Sequence, residues 1–291
     1  MKRHIDSTDG PPAQASGLYL VSTPIGNLRD ITLRACDVLA GCTAVVCEDS
    51  RVTGRLLQSL GITAKLVVYN DHSTESERDA LLKWIEEDGA SLALVSDAGT
   101  PLLSDPGYKL VHLALARGLS VVPVPGANAL LPALQLAGLP CDRFLFAGFL
   151  PHKSAARRTV FAELASVPAT LVFYESPQRL HDCVCDAHAV LGDRPAATAR
   201  ELTKMYEESR RFTLAAGAAD ECLLGTMKGE IVLLVGPPVE SRAGLEDIDT
   251  ALRRAMETLS IRDAAAHVAT ATGAPKKQVY DRALRLKNGD D

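Results

Sequence analysis

From Leu18 onward, short apolar runs alternate with stretches in which apolar residues recur at helical spacing. Runs rich in Val and Leu at 18–22 (LYLVS), 44–47, 66–69, 92–96 and 120–124 predict strands. The intervening segments 33–40, 52–60, 75–88 and 107–117 predict helices. Such alternation builds a parallel sheet with helices on both faces. The helix over 75–88 carries its own start signal: Thr74 followed by Glu77 is a capping box ahead of Leu81, Leu82 and Ile85.

A helix-like stretch at 127–137 leads into a second set of apolar runs at 143–150, 170–174, 196–199 and 230–236. Charged helical segments at 155–165 and 178–191 separate them. The segment PPVESRAGLEDID then reads as a linker, with two prolines and scattered charge. The expected organisation is a disordered tail over 1–17, an N-terminal α/β domain over 18–125, a second α/β domain over 126–238, a linker over 239–249 and a helical piece over 250–291. In that last piece Ser260 and Asp263 cap an Ala-rich helix, residues 273–275 make a turn, and Lys276, Lys277, Arg282, Arg285 and Lys287 decorate a second helix. Two short helices around a turn, the second one basic, give a helix-turn-helix outline. The same periodicity also describes a capping helical hairpin with a solvated basic face.

Charge sharpens this division. The chain of 291 residues has 31 Lys and Arg against 36 Asp and Glu, a net of -5, which excludes a bulk-basic nucleic-acid binder. Residues 250–291 nevertheless hold eight basic against five acidic side chains. No run of 18 apolar residues is present, so no membrane span is expected, and residues 1–17 lack the apolar core of a signal peptide. Seven cysteines without a paired CxxC spacing point to reduced cytoplasmic thiols, and no metal site is expected.

Four strand ends run into loops rich in Gly, Pro and small polar residues: 22–30 (STPIGNLRD), 96–108 (SDAGTPLLSDPGY), 123–129 (PVPGANA) and 174–180 (YESPQRL). Ligands in open parallel sheets bind beyond the carboxyl ends of the strands. None of these loops contains GxxxxGK[ST] or GxGxxG, so a triphosphate or dinucleotide lacks its usual cradle. An adenosine-bearing ligand recognised by backbone groups and small side chains suits them better.

Seven ordered motifs, TPIGNLRDITLRA, CEDSRVTGRLL, VSDAGTPLLSDPGYKLV, VPGANALLPAL, FLPHKSAARR, FYESPQRL and ARELTKMYEE, resemble the bacterial 16S ribosomal RNA (cytidine-2'-O)-methyltransferases, a branch of the tetrapyrrole methylase superfamily. The resemblance implies a two-domain α/β fold with S-adenosyl-L-methionine in the cleft between the domains, plus a small C-terminal helical domain. It implies 2'-O-methylation of a cytidine ribose in 16S rRNA, at the decoding centre of the 30S subunit, by a cytoplasmic homodimer. By the same resemblance Pro24, Gly26, Gly99, Thr100, Pro101, Ala127, Asn128, Tyr174 and Glu175 contact the cofactor. Two positions depart from the branch: Asn128 stands where Ser or Cys is usual, and Gln178 where His is common.

A ribose hydroxyl needs a base and an aligned phosphate contact. The matched motifs offer Glu48, Asp49 and Arg51 in CEDSR and Glu201 and Lys204 in RELTK; Asp49 and Lys204 are the candidate catalytic pair, with strand-end ion pairs, or a helix-start charge for Glu201, as the alternative reading. Arg51, Lys153, Arg157, Arg158, Lys276, Lys277 and Arg282 are candidate RNA contacts, with ordinary surface charge as the alternative. A tetrapyrrole-modifying enzyme and a non-catalytic RNA binder are the competing functional classes.

Overall fold

The computed structural model describes residues 13–70, 72–224, 228–238, 245–272 and 274–288. The chain forms two compact units, residues 1–238 and 239–291. Most of the expected disordered tail, part of the expected linker and residue 273 of the expected turn lie outside the described residues.

In the first unit, β1 (Gly17–Val21), β2 (Ala44–Cys47), β3 (Leu66–Val68), β4 (Ser91–Val95) and β5 (Val121–Val124) form one sheet in the order β3-β2-β4-β1-β5. Every neighbouring pair is parallel. Alternate residues of a strand point to opposite faces, so one sequence pattern serves two helical layers. Leu18, Val46, Leu92 and Leu94 pack with α3 (Glu75–Asp88) and α4 (Tyr108–Ala116). Tyr19, Val45, Ala93 and Val95 face α1 (Leu33–Gly41) and α2 (Ser50–Ser59). Helix α3 has the expected bounds, with both arms of the Thr74–Glu77 capping box formed.

Helix α5 (Leu130–Ala137) crosses to a second sheet made of β6 (Phe144–Phe149), β7 (Thr170–Glu175), β8 (Pro195–Arg200), β9 (Glu208–Thr213) and β10 (Ile231–Val235). Its order is β6-β7-β10-β8-β9, and only β6 and β7 run parallel. One face packs on α5; the other is covered by α6 (Ser154–Leu164), α7 (Leu180–Leu191) and α8 (Leu214–Ala219). The hydrophobic pattern predicts neither β9 nor α8. Strand β9 is an edge strand reading ESRRFT, and charge on an edge hides it from any search for apolar runs.

The second unit holds α9 (Leu245–Met256), α10 (Ile261–Thr272) and α11 (Lys276–Asn288) around Leu252, Val268, Val279 and Ala283. Two expectations change here and at the N-terminus. Helix α9 begins inside the stretch read as linker over 239–249, because Ile248 and Leu252 share one helical face toward this core. Gly17, assigned to the tail, is the first residue of β1 and pairs with Ser91. Ser260 caps α10 as expected, accepting from the Asp263 amide at 3.2 Å.

Candidate functional site

Strands β4, β1 and β5 are neighbours, so the loops leaving their carboxyl ends meet. Thr23 and Gly99 exchange both backbone hydrogen bonds, at 2.8 and 3.1 Å. The Ser22 and Thr100 hydroxyls lie 3.0 Å apart, and Thr100 Oγ1 donates to the Ala127 carbonyl at 3.2 Å. These links turn three loops that are distant in sequence into one wall. The opposite wall comes from the ends of β7, β8 and β10 in the second sheet. Between them lies a cavity of about 390 Å³.

Gly99, Thr100, Asn128, Tyr174 and Glu175 line this cavity. Pro24, Gly26, Pro101 and Ala127 do not; Gly26 packs on the Lys204 side chain, which a Cβ there would overlap, and Ala127 serves through its carbonyl as the acceptor for Thr100. The Asn128 side-chain oxygen accepts from the Leu131 amide at 2.9 Å, so this unusual residue secures the start of α5. The Glu175 carboxylate is fully buried and accepts from the Ser176 amide at 2.7 Å and from Arg179 at 3.2 Å.

Sequence reading does not single out Asp97, Asp105, Phe149, Leu202 or the pair Gly229 and Glu230, all of which reach the cavity. Asp105 lies within the expected SDAGTPLLSDPGY loop, so proximity in sequence could have raised it. Nothing in the sequence around Gly229 marks it. Burial pushes the Asp105 carboxyl above the usual aspartate value; the Asp97 charge adds to this and a hydrogen bond from Ser96 opposes it. Burial also raises the Tyr174 phenol, with help from Asp105 and Glu230.

Backbone strain gathers at the same place. The four described non-glycine residues with positive φ are Leu102, Ser104, Glu201 and Thr203, and they fall in the two loops flanking the cavity. Each such conformation costs on the order of 1–3 kcal/mol and persists only where packing enforces it.

The candidate catalytic pair is differently employed. Asp49 caps α2, accepting from the Arg51 amide at 2.8 Å, and its carboxylate pairs with the Arg51 guanidinium at 2.6 Å. Hydrogen bonds from that side chain and that amide hold its carboxyl down at about 2, too acidic for a base working near neutrality. It does not line the cavity. Lys204 Nζ lies 3.0 Å from Glu201 and 3.0 Å from Glu230. Desolvation pulls its ammonium downward, but the two carboxylates outweigh that and leave it raised, so Lys204 stays a cation.

Gly229 presses on this group. A Cβ there would sit 2.5 Å from the Glu201 carboxyl, and its φ of +85° belongs to glycine. Gly229→Ala is therefore expected to dislodge Glu201 from Lys204 and lower the melting temperature by roughly 3–10 °C, measurable by calorimetry.

Among the expected RNA contacts, Arg51, Lys153, Arg158, Lys276 and Lys277 are exposed. Arg157 must be corrected. With Phe161 four residues on, it faces inward from α6; its side chain is 4% exposed and bound to Asp186 at 2.6 Å. Arg282 is also committed, in a bidentate pair with Asp249 at 2.6 and 2.8 Å that ties α11 to α9.

No helix among the described residues is long and apolar enough to cross a membrane. Residues 17–217 match the tetrapyrrole (corrin/porphyrin) methylase family, and residues 242–287 match the RsmI C-terminal HTH domain. Among solved structures, the chain resembles a diphthine synthase (TM-score 0.59, 15% identity, 75% of this chain and 89% of the other). It also resembles the Thermus thermophilus uroporphyrin-III C-methyltransferase complexed with S-adenyl homocysteine (TM-score 0.53, 22% identity, 75% and 96%). These two likenesses speak to the fold alone. Relatives in sequence include proteins named ribosomal RNA small subunit methyltransferase I from Erythrobacter litoralis, 51% identical over 93% of this chain and 95% of the relative, and from Mesorhizobium japonicum, 47% identical over 93% and 92%. The Escherichia coli O157:H7 protein of that name is 43% identical over 98% and 99%. With two joined α/β sheets, a cavity at their strand ends and a helical C-terminal unit, the chain belongs to the ribosomal RNA small subunit methyltransferase I family of tetrapyrrole methylases.

Proposed function

We propose that this chain uses S-adenosyl-L-methionine to methylate the ribose 2'-hydroxyl of a cytidine in 16S rRNA, at the decoding centre of the 30S subunit. The observation that carries the cofactor assignment is the charge of the cavity. Its described lining holds four carboxylates, Asp97, Asp105, Glu175 and Glu230, and no Lys or Arg; Arg179 and Lys204, outside the lining, pair with Glu175 and Glu230, so the negative field rests on Asp97 and Asp105. That field repels a phosphate and favours a cationic ligand. Ile25, Ala199, Leu202, Ile231 and Val232 supply an apolar surface for an adenine, and the volume lies in the range of small-molecule sites. Gly99, Thr100, Asn128, Tyr174 and Glu175 would hold the cofactor, which supplies a methyl group on a positively charged sulfur.

Asp105, with its raised proton affinity and its place on the cavity wall, takes the proton of the 2'-hydroxyl onto its carboxylate. Lys204, held cationic by Glu201 and Glu230, serves as a phosphate contact and not as a base. The outer contacts to RNA are Arg51, Lys153, Arg158, Lys276 and Lys277. Incubating the protein with methyl-labelled cofactor and 30S subunits, then mapping the label by nuclease digestion and mass spectrometry, tests the assignment. Label on a cytidine ribose is the expected result; label on a base or no label in RNA rejects it.

The reading includes a homodimer acting in the cytoplasm. Leu33, Tyr108, Met205 and Tyr206 each expose more than two-thirds of their surface, which suits burial against a second copy. Light scattering should return twice the monomer mass. Lys276→Ala with Lys277→Ala should flatten the salt dependence of RNA binding, the log–log slope falling by roughly 0.7 for each phosphate that is no longer neutralised. An unchanged slope would place those lysines away from the bound RNA.

A further inference from the structure

We propose that Phe149 is the platform on which the nucleobase of the target nucleotide stacks when that nucleotide is drawn out of the RNA; this rests on the RNA ribose methylation proposed above. Phe149 lines the cavity, yet 61% of it is exposed, the highest value of any described phenylalanine. An aromatic ring left in water at the mouth of a reaction cavity is surface available to a ligand that arrives from outside.

The ring is placed by a specific backbone device. Between Phe146, opposite Val172, and Phe149, opposite Tyr174, strand β6 holds one residue more than β7, which is a bulge. Gly148 within it has a φ of +65°, and a Cβ there would come within 3.2 Å of the Ser104 hydroxyl of the cavity loop. Without the bulge, the period-2 alternation that sends Phe146 to the α5 face would carry residue 149 to the other side of the sheet.

The ring is also braced. Its centroid lies 5.5 Å from that of Tyr174 at 63°, and Tyr174 in turn meets Phe146 at 4.8 Å and 65°. On its C-terminal side Leu150 is buried in the second-sheet core, and Arg179 donates to the carbonyls of Leu150 and Pro151 at 2.7 and 3.1 Å. Shortly after them come the exposed cation Lys153 and Arg158, whose side chain is half-exposed while its Nε pairs with Asp186 at 2.6 Å. A fixed aromatic surface followed closely by cations is the combination by which proteins hold a splayed nucleotide, the ring taking the base and the cations its phosphates. Stacking tolerates any base, so Phe149 supplies affinity for the extruded nucleotide and not the choice of cytosine. The adenine of the cofactor is the rival occupant, and the experiment separates the two.

Phe149→Leu keeps an apolar side chain and removes the π-face. Expected is a fall of roughly 5- to 100-fold in kcat/KM for 30S subunits, with cofactor affinity by calorimetry within about twofold of wild type. Phe149→Trp should restore kcat/KM to within a few fold of wild type. Trp84 is the chain's one tryptophan, so Phe149→Trp in a Trp84→Phe background also reports stacking directly, as fluorescence quenching on addition of subunits. Turnover by Phe149→Leu equal to wild type, or a loss of cofactor affinity as large as the loss in kcat/KM, overturns the proposal while leaving the methyltransferase reading in place. A wild-type protein that labels no RNA overturns both.

Discussion

Asp186→Ala should destabilise the protein by about 3–5 kcal/mol, or roughly 6–20 °C in melting temperature. The Asp186 side chain is 5% exposed and receives Arg157 at 2.6 Å, Arg158 at 2.6 Å and the Ser154 hydroxyl at 2.8 Å. Its loss leaves the Arg157 guanidinium buried without a counter-charge, and an unpaired buried charge costs far more than the pair gained. Arg158→Ala is the control: that side chain is 53% exposed, and its removal should cost no more than about 1 kcal/mol. Desolvation raises the Asp186 carboxyl, but Arg158, Ser154 and Arg157 together outweigh it and leave the value lowered. A depressed carboxyl contributes stability that is present above its unfolded value, near about 4, and lost as pH falls through the folded value. The gap between wild type and Asp186→Ala in urea should therefore be full at about pH 7 and shrink below about pH 4. A gap independent of pH would mean that Asp186 acts through packing and not through its charge.

The largest effect on activity is expected from Asp105→Asn. Removing a positioned base costs about 10²- to 10⁴-fold in rate; cofactor affinity should weaken far less than that, because the amide keeps the shape of the side chain and only one negative charge of the cavity is lost. Since the carboxylate is the working form, wild-type activity should fall as the medium is acidified. The midpoint should lie above that of an ordinary aspartate, because burial and the Asp97 charge raise Asp105. Asp97→Asn removes that negative charge and should move the acid limb downward, whereas Asp105→Asn should abolish it. If Asp105→Asn turns over at the wild-type rate, the proton goes elsewhere.

Both predictions involve residues that the sequence pattern treats poorly, for related reasons. Arg157 sits in a basic run, ARR, just beyond a Pro-containing turn, and reads as a surface cation. Its partner lies 29 positions away on α7, and nothing local announces the pairing. Asp105 stands in a loop whose importance is plain from its glycines and prolines, but its raised proton affinity comes from burial in the packed fold. Asp49 shows the reverse case. A carboxylate in a matched motif looks chemical, yet it closes a helix cap and an ion pair with a residue two positions on.

What the sequence determined by itself is whatever depends on near neighbours. Strand and helix alternation, the Thr74–Glu77 box, the small-residue loops and the absence of a phosphate cradle are each written within a few residues, because hydrogen bonding and φ restriction act at that range. Family motifs in seven ordered segments likewise place Gly99, Thr100, Asn128, Tyr174 and Glu175, which the cavity gathers. Tertiary structure alone decided which carboxylates face one another, that Arg157 turns inward, that β9 completes the second sheet as a charged edge, and that a bulge presents Phe149 at the cavity mouth. Desolvation and charge pairing depend on atoms brought together from distant parts of the chain, and only the packed fold fixes those distances.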